Sequence, residues 1–295
     1  MRKYSAVAII YNPKSTGDSQ AKAEQLHSFL SAKLARTPVT LLPTEYAGHA
    51  KKLAYDTAHA HKKPLIVSVS GDGGYHEVVN GAMRAQAEGC RPICAVLPAG
   101  NANDHARTMH SKPLPRLILK KKIKKLDLLK VTTRHGTQES HSYAHSYIGL
   151  GLTPHMAQEL NKRELNMMQE VLAFLQTFAA VEPVTLNIGG KLYAYDSFVC
   201  STIPEMAKIL KLAKRSKPND GRFEINAIVH KTKPALFRKL LLGTFVSKPT
   251  HKKQKHLEFS VVGKTLMQLD GELQTLAADT HVEVSVERRT LRTLA

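Results

Sequence analysis

Tryptophan is absent from this chain, only 6% of its residues are aromatic, and cysteine occurs three times. Single-stranded nucleic acids are held largely by aromatic stacking, and duplexes by recognisable modules, neither of which the sequence offers, so a nucleic-acid partner is not expected. Cys90, Cys94 and Cys200 are an odd number, with no CxxC pair and no second pair at zinc spacing. They read as reduced thiols, mostly core fillers, of a cytoplasmic protein. Long apolar runs are missing as well, and no segment approaches the ~18 residues of a spanning helix. The run Ala6 to Tyr11 is short, carries no cleavage pattern and leads into Asn12-Pro13, which suits a first strand better than a signal peptide. Acidic residues are the other deficit: 24 against 43 Lys plus Arg, a net charge of +19 over 295 residues. That excess predicts attraction to an anionic partner: nucleic acid, an acidic membrane surface or a phosphorylated ligand. Charge alone does not choose among them.

What is present describes a folded protein, since 42% hydrophobic and 23% charged residues are ordinary for a globular chain. Ser5 to Tyr11, Val39 to Leu42, Leu65 to Val69 and Ile93 to Leu97 are strand-like. Ala21 to Ala35, Ala47 to Ala60 and Tyr75 to Ala87 have helical spacing. Strand, helix and strand in regular alternation predict a doubly wound parallel sheet. After about residue 130 strands dominate: Lys125 to Thr133, Ser142 to Ile148, Val184 to Ile188, Lys191 to Cys200, Arg222 to Val229, His256 to Val262 and His281 to Val286. Two helices are expected among them, at 164–181 and 234–244. The fold class is therefore α/β, an N-terminal doubly wound domain followed by a mostly antiparallel one.

Chemistry is expected on the loops that end the parallel strands. Ser70-Gly71-Asp72-Gly73-Gly74 places three glycines in four positions, so the backbone can approach a phosphate closely, and a helix N-terminus follows. Asp72 would repel phosphate unless it holds a metal or takes a proton, and both roles belong to phosphoryl transfer. Pro98-Ala99-Gly100-Asn101-Ala102-Asn103-Asp104 ends the next strand with a second carboxylate. Asn12-Pro13-Lys14-Ser15-Thr16-Gly17 ends the first with a lysine and hydroxyls. An ordinary N-capped turn explains each loop taken singly. Neither a Walker A nor a GxGxxG pattern is present.

Ser70-Gly71-Asp72-Gly73-Gly74-Tyr75-His76-Glu77-Val78-Val79-Asn80-Gly81 resembles the signature of the diacylglycerol kinase catalytic-domain family, and its Ser-Gly-Asp-Gly start with a histidine before the glutamate is similar to sphingosine kinases. Asn12-Pro13-Lys14-Ser15, Leu97 to Arg107, Leu126-Asp127-Leu128, Asn219-Asp220-Gly221 and Asp270-Gly271-Glu272 resemble further motifs of that family, in order over nearly the whole chain. The resemblance implies an NAD kinase-like ATP-binding domain over 1–130, a β-sandwich lipid domain over 131–286 and a tail, 287–295, that returns toward the first domain. It implies Asp72 and Glu272 as general base and active-site carboxylate, with Asp104 and Asp127 completing an acidic network for Mg²⁺. Asn12, Ser15, Gly71, Gly73, Glu77, Gly100 and Asn101 would line ATP, and Lys14, Ser70, Gly74 and Asn103 of the same loops would bind it too. A structural Mg²⁺ would take the Asp220 side chain and the carbonyls of Lys217 and Arg222.

Three positions depart from the pattern: Gly74 where the family has threonine, Ala102 where it has glycine, and Thr153 where it has a carboxylate. The expected function is an ATP- and Mg²⁺-dependent lipid kinase acting on a membrane-derived substrate, peripheral at an anionic membrane surface, with a homodimer as one assembly. The alternatives are a weakened regulatory binder of nucleotide and lipid, and a soluble-substrate kinase of the NAD kinase type.

Overall fold

The computed structural model describes residues 4–15, 17–155, 181–206, 210–211, 217–230 and 253–294. Its first half alternates β1 (Val7–Tyr11), α1 (Ser19–Lys33), β2 (Val39–Pro43), α2 (His49–Ala60), β3 (Leu65–Ser70), α3 (Asp72–Ala87), β4 (Ile93–Pro98), α4 (Asp104–Met109) and α5 (Leu114–Lys120). The second half contains β5 (Ile123–His135), β6 (Gln138–Ala144), β7 (Tyr147–Gly151), β8 (Val184–Ile188), β9 (Lys191–Ser201), β10 (Glu205–Met206), β11 (Leu210–Lys211), β12 (Phe223–Val229), β13 (Lys253–Gln254), β14 (His256–Val261), β15 (Thr265–Leu269), β16 (Glu272–Leu276) and β17 (His281–Leu294). The helices expected at 164–181 and 234–244 fall almost wholly outside the described residues. Among the described residues, no helix is long and apolar enough to cross a membrane.

β2, β1, β3 and β4 lie side by side and parallel. Buried on both faces, β1 and β3 read as almost unbroken apolar runs. Helices α2 and α3 cover one face through Ala54, Val78, Val79 and Ala82, while α1 and α5 cover the other through Leu26, Leu30, Leu117 and Ile118. Each fully buried side chain of Leu, Ile or Val size contributes about 1.5–3 kcal/mol. The second half is antiparallel and has its own core around Leu150, Phe198, Phe223, Phe259, Met267 and Val284. The fold is thus the expected α/β class, a parallel N-terminal sheet followed by antiparallel strands.

β17 connects the halves. It pairs with β14 and β5 along most of its length, is interrupted by a bulge after Glu287, and ends with Thr293 parallel to Cys94 of β4. Leu291 and Leu294 enter the two cores that flank the parallel sheet. The β15–β16 hairpin went unpredicted, although its two-residue turn is Asp270-Gly271 with φ of 53° and 98°, the chemistry a tight hairpin demands.

Candidate active site

Three loops meet at the carboxyl ends of β1, β3 and β4. A side-chain carbon on Gly17 would stand 2.5 Å from the Ala99 carbonyl oxygen, and one on Gly71 would stand 3.2 Å from Gly100 Cα. Gly71, Gly73, Gly74 and Gly100 all have ordinary φ. These glycines therefore provide clearance, between backbones at Gly71 and Gly100 and for the side chains of Glu272 and Ser70 at Gly73 and Gly74, not unusual turns. The helix also starts earlier than its periodicity suggests, at Asp72, so Asp72 to Gly74 form the first turn of α3 with their N–H groups directed out of the helix end.

Asp72 ties two of the loops together. Its Oδ2 accepts the Asp104 N–H at 2.9 Å and its Oδ1 the His105 N–H at 3.1 Å, so it caps α4. Asp104 is buried beside it, accepting the Tyr147 hydroxyl at 3.3 Å. Burial, and then the charge of Asp104, push the Asp72 carboxyl up to about 7, although the two N–H bonds oppose the shift. Such a group is half protonated near neutrality, which is where a general base is most useful.

The β15–β16 turn brings Glu272 to the same place. Its carboxylate occupies the space that a side chain on Gly73 would fill. Loss of hydration raises its carboxyl above the usual range. The turn is fastened by Asp270, which is fully buried. Asp270 accepts the N–H groups of His145 (2.8 Å), Ser146 (2.9 Å) and Tyr147 (3.1 Å), and its Oδ2 lies 3.1 Å from His76 Nδ1. Beneath it, burial lowers the His105 and His145 imidazoles below their usual range, although the charge of Asp270 opposes the shift. Ser146 Oγ lies 2.8 Å from His145 Nδ1 and 3.3 Å from His105 Nδ1. Asp270 stood in a quoted motif, yet only its neighbour Glu272 was taken as functional. His76 stood in the quoted motif without a role, and His145 and Tyr147 carried no local signal.

Other expected site residues have structural duties. Glu77 accepts the N–H groups of Gly48 at 3.0 Å and Ala50 at 3.1 Å, capping α2. Asn103, in the left-handed region at φ 51°, accepts the Gly100 N–H at 3.0 Å and donates back to the Gly100 carbonyl, so it shapes the loop. Asn12 accepts the Lys14 N–H at 2.9 Å, and Ser15 Oγ lies 2.6 Å from Ser19 Oγ, leaving the Lys14 ammonium exposed. Asn101 is exposed beside them. Asp127 is turned to other partners than Asp72 and Asp104. It accepts the Gly221 N–H at 2.6 Å and the Arg289 N–H at 2.7 Å, clamping the Asp220 turn onto the β17 bulge.

The metal reading of Lys217, Asp220 and Arg222 does not fit. Asp220 Oδ1 accepts the Arg222 N–H at 3.1 Å, and Oδ2 pairs with the Lys253 ammonium at 2.6 Å. Lys253 also reaches Glu224 at 3.5 Å, so a fixed cation already neutralises this turn.

One departure from the family pattern, Gly74, is explained by a single contact. A side chain at Gly74 would meet Ser70 Cβ at 2.7 Å and Oγ at 2.8 Å. The space is already taken from the other side, by a hydroxyl that lies 2.7 Å from Ser68 Oγ. Gly74→Thr is therefore expected to lower stability by about 1–3 kcal/mol through overpacking. Ser70→Gly/Gly74→Thr should recover most of that loss, which urea unfolding of the two single variants and the double variant would measure. Thr153, the third departure, is buried with its hydroxyl against Gly149.

Residues 6–131 match the diacylglycerol kinase catalytic domain. The diacylglycerol kinase of Bacillus subtilis (strain 168) is 25% identical over 290 residues, covering 90% of this chain and 86% of that one. The diacylglycerol kinase of Staphylococcus aureus (strain bovine RF122 / ET3-1) is 35% identical over 102 residues, 35% of this chain and 31% of that one. Among solved structures, a diacylglycerol kinase from Bacillus anthracis str. Sterne superposes with a TM-score of 0.71 at 21% identity, over 100% of this chain and 98% of that one. Yeast NADH kinase superposes at 0.56 with 12% identity, over 99% and 84%, and so shares the fold. The matched stretch contains Asn12, Ser70 to Glu77, Gly100 to Asp104 and Asp127, whereas Asp270 and Glu272 lie beyond it.

Proposed function

We propose that the chain is an ATP- and Mg²⁺-dependent lipid kinase, transferring the γ-phosphoryl group to a hydroxyl of diacylglycerol, a sphingoid base or a related lipid. The observation that carries this reading is Asp72, held near neutrality at about 7 between the glycine loop, Asp104 and the Glu272 turn. The donor set suits Mg²⁺-ATP. Asp72 and Asp104 are neighbouring carboxylates whose repulsion a divalent cation relieves, and the α3 N-terminus with its glycines offers N–H groups to phosphate. Mg²⁺, when bound, supplies charge neutralisation on the phosphate oxygens.

The residues themselves orient and move a proton. The lipid hydroxyl gives its proton to Asp72, with Glu272 the neighbouring carboxylate that faces the same opening, while the loops after β1 and β4 hold the nucleotide. Catalysis is then mostly positioning and charge complementarity. Phosphate transfer from labelled ATP into a total lipid extract tests this directly. A labelled lipid that disappears when Mg²⁺ is omitted is the expected result, and label in NAD or a sugar phosphate would transfer the reading to a soluble acceptor. The NADH kinase fold likeness makes that the second acceptor class to assay.

An anionic bilayer is the partner that fits the charge. Lys112, Arg116, Lys120 and Lys122 are exposed around α5, and none has an ion pair among the described residues. They crowd closely enough that Lys120, then Arg116 and Lys122, pull the Lys112 ammonium below its usual range. Each basic residue near an anionic surface contributes about 1 kcal/mol. Lys112→Glu/Arg116→Glu/Lys120→Glu is expected to lose binding to vesicles with anionic lipid, as read by co-sedimentation, by about a hundredfold or more. Neutral vesicles should not distinguish it from the parent chain.

A further inference from the structure

A second cluster of chemistry-bearing side chains lies on the antiparallel sheet, apart from the kinase site. β14 begins His256-Leu257-Glu258 and β17 begins His281-Val282-Glu283, the same His-x-Glu triplet twice. Strand alternation puts each histidine and glutamate on one face and sends Leu257 and Val282 to the other, where Val282 is buried. The antiparallel register sets Glu258 opposite Glu283, His256 opposite Ser285 and His281 opposite Ser260. Each histidine therefore stands diagonally to the glutamate of the other strand. His256 Nε2 is 3.3 Å from Glu258 Oε1 and 3.3 Å from Glu283 Oε1, and His281 Nε2 is 3.9 Å from Glu258 Oε2. One ligand atom from each of His256, Glu258 and Glu283 lies within 4.8 Å of the other two.

Two carboxylates directly opposite across a strand pair repel each other, so this register needs a cation to be favourable. Arg134 supplies part of one, 3.2 Å from Glu283 Oε2, but its guanidinium is shared with Glu139. The contact leaves Glu283 Oε1 facing His256. Ser260 Oγ lies 3.5 Å from His281 Nδ1 and so leaves that ring's Nε2 toward Glu258. Partners of this kind, on the far atom of each ligand, orient a metal-binding side chain.

We propose that His256, Glu258 and Glu283, with His281 at the edge, bind a divalent transition-metal ion of the zinc class. Two imidazoles and two carboxylates are the nitrogen-and-oxygen set that zinc accepts, and imidazole disfavours magnesium and calcium. Bound there, the ion would cross-link β14 to β17 and remove the Glu258–Glu283 repulsion.

The test is a titration of the full chain, stripped with EDTA and dialysed, with zinc chloride alone, followed by calorimetry. One saturable site per chain is expected, weakened about tenfold or more by His256→Ala and by Glu258→Gln. His61→Ala should leave it unchanged, which separates the site from capture by surface histidines. Zinc should also raise the melting temperature of the parent chain and not of the two ligand variants. Visible absorption on adding cobalt, displaced by zinc, gives a reading that needs no variant. No saturable binding of zinc or cobalt by the parent chain would overturn the proposal. So would equal zinc affinity in the folded His256→Ala/Glu258→Gln double variant.

Discussion

Asp72→Asn is expected to lower kcat for phosphate transfer to lipid by about 10²–10⁴-fold. The amide keeps the size of the carboxylate and can still accept one of the α4 N–H groups, so the loops should stay in place. What it loses is the capacity to take a proton. Because burial and Asp104 push the carboxyl up to about 7, kcat/KM of the parent enzyme should rise with pH through that region and flatten above it. The variant's residual rate should not follow that curve. An Asp72→Asn protein that retains the parent kcat would transfer the base role to Glu272.

Stability gives a second reading with the opposite sign. A carboxyl whose pKa is about 7 in the fold and near 3.8 outside it binds its proton more tightly when folded. Its contribution is therefore most favourable below pH 4, is lost progressively as pH rises from about 4 to 7, and is constant above. At about 1.4 kcal/mol per pH decade, the full change is of order 4 kcal/mol. Asp72→Asn should remove this slope. The stability of the parent relative to the variant, from urea unfolding without metal or nucleotide, should fall between pH 4.5 and 7. A fold that stores such a cost at one carboxylate suggests that function retains it.

Part of this was legible in the residues because one local rule sufficed. The apolar runs of β1 and β3 follow from burial on two faces, and Asp72 stands out as a carboxylate among glycines. The loop glycines are expected to let the backbone approach a phosphate, and in the structure the close neighbours are protein atoms. Gly73 makes room for Glu272, almost two hundred residues away in sequence, and Gly74 makes room for Ser70. His76, His145 and Tyr147 become part of the site only when the β15–β16 turn folds onto α3, and no local pattern encodes that contact. Glu77 and Asp127 show the converse. Both fit a motif, but the N–H groups of α2 and of the Asp220 turn take up their carboxylates. A carboxylate in a familiar pattern can as readily serve backbone donors as a ligand.

Asp270→Asn should be the most destabilising change at the site, by about 3–5 kcal/mol. Burial alone would raise this carboxyl. The neighbouring His145, the His76 bond and the backbone donors outweigh that and hold it below the usual carboxylate range. Its stabilising contribution is thus present above the unfolded pKa and is lost as pH falls through the lower folded value. An asparagine keeps the volume but presents an amide N–H₂ where at least one backbone N–H now points, leaving buried donors facing each other. The same change should loosen the turn that seats Glu272 on Gly73, so activity should fall at temperatures where the protein is still folded. Urea unfolding at neutral pH, with rates measured well below the midpoint, separates the two effects. An unchanged midpoint would mean that the N–H groups of His145, Ser146 and Tyr147 do not depend on the charge of Asp270, and that the β15–β16 hairpin is seated by its apolar face alone.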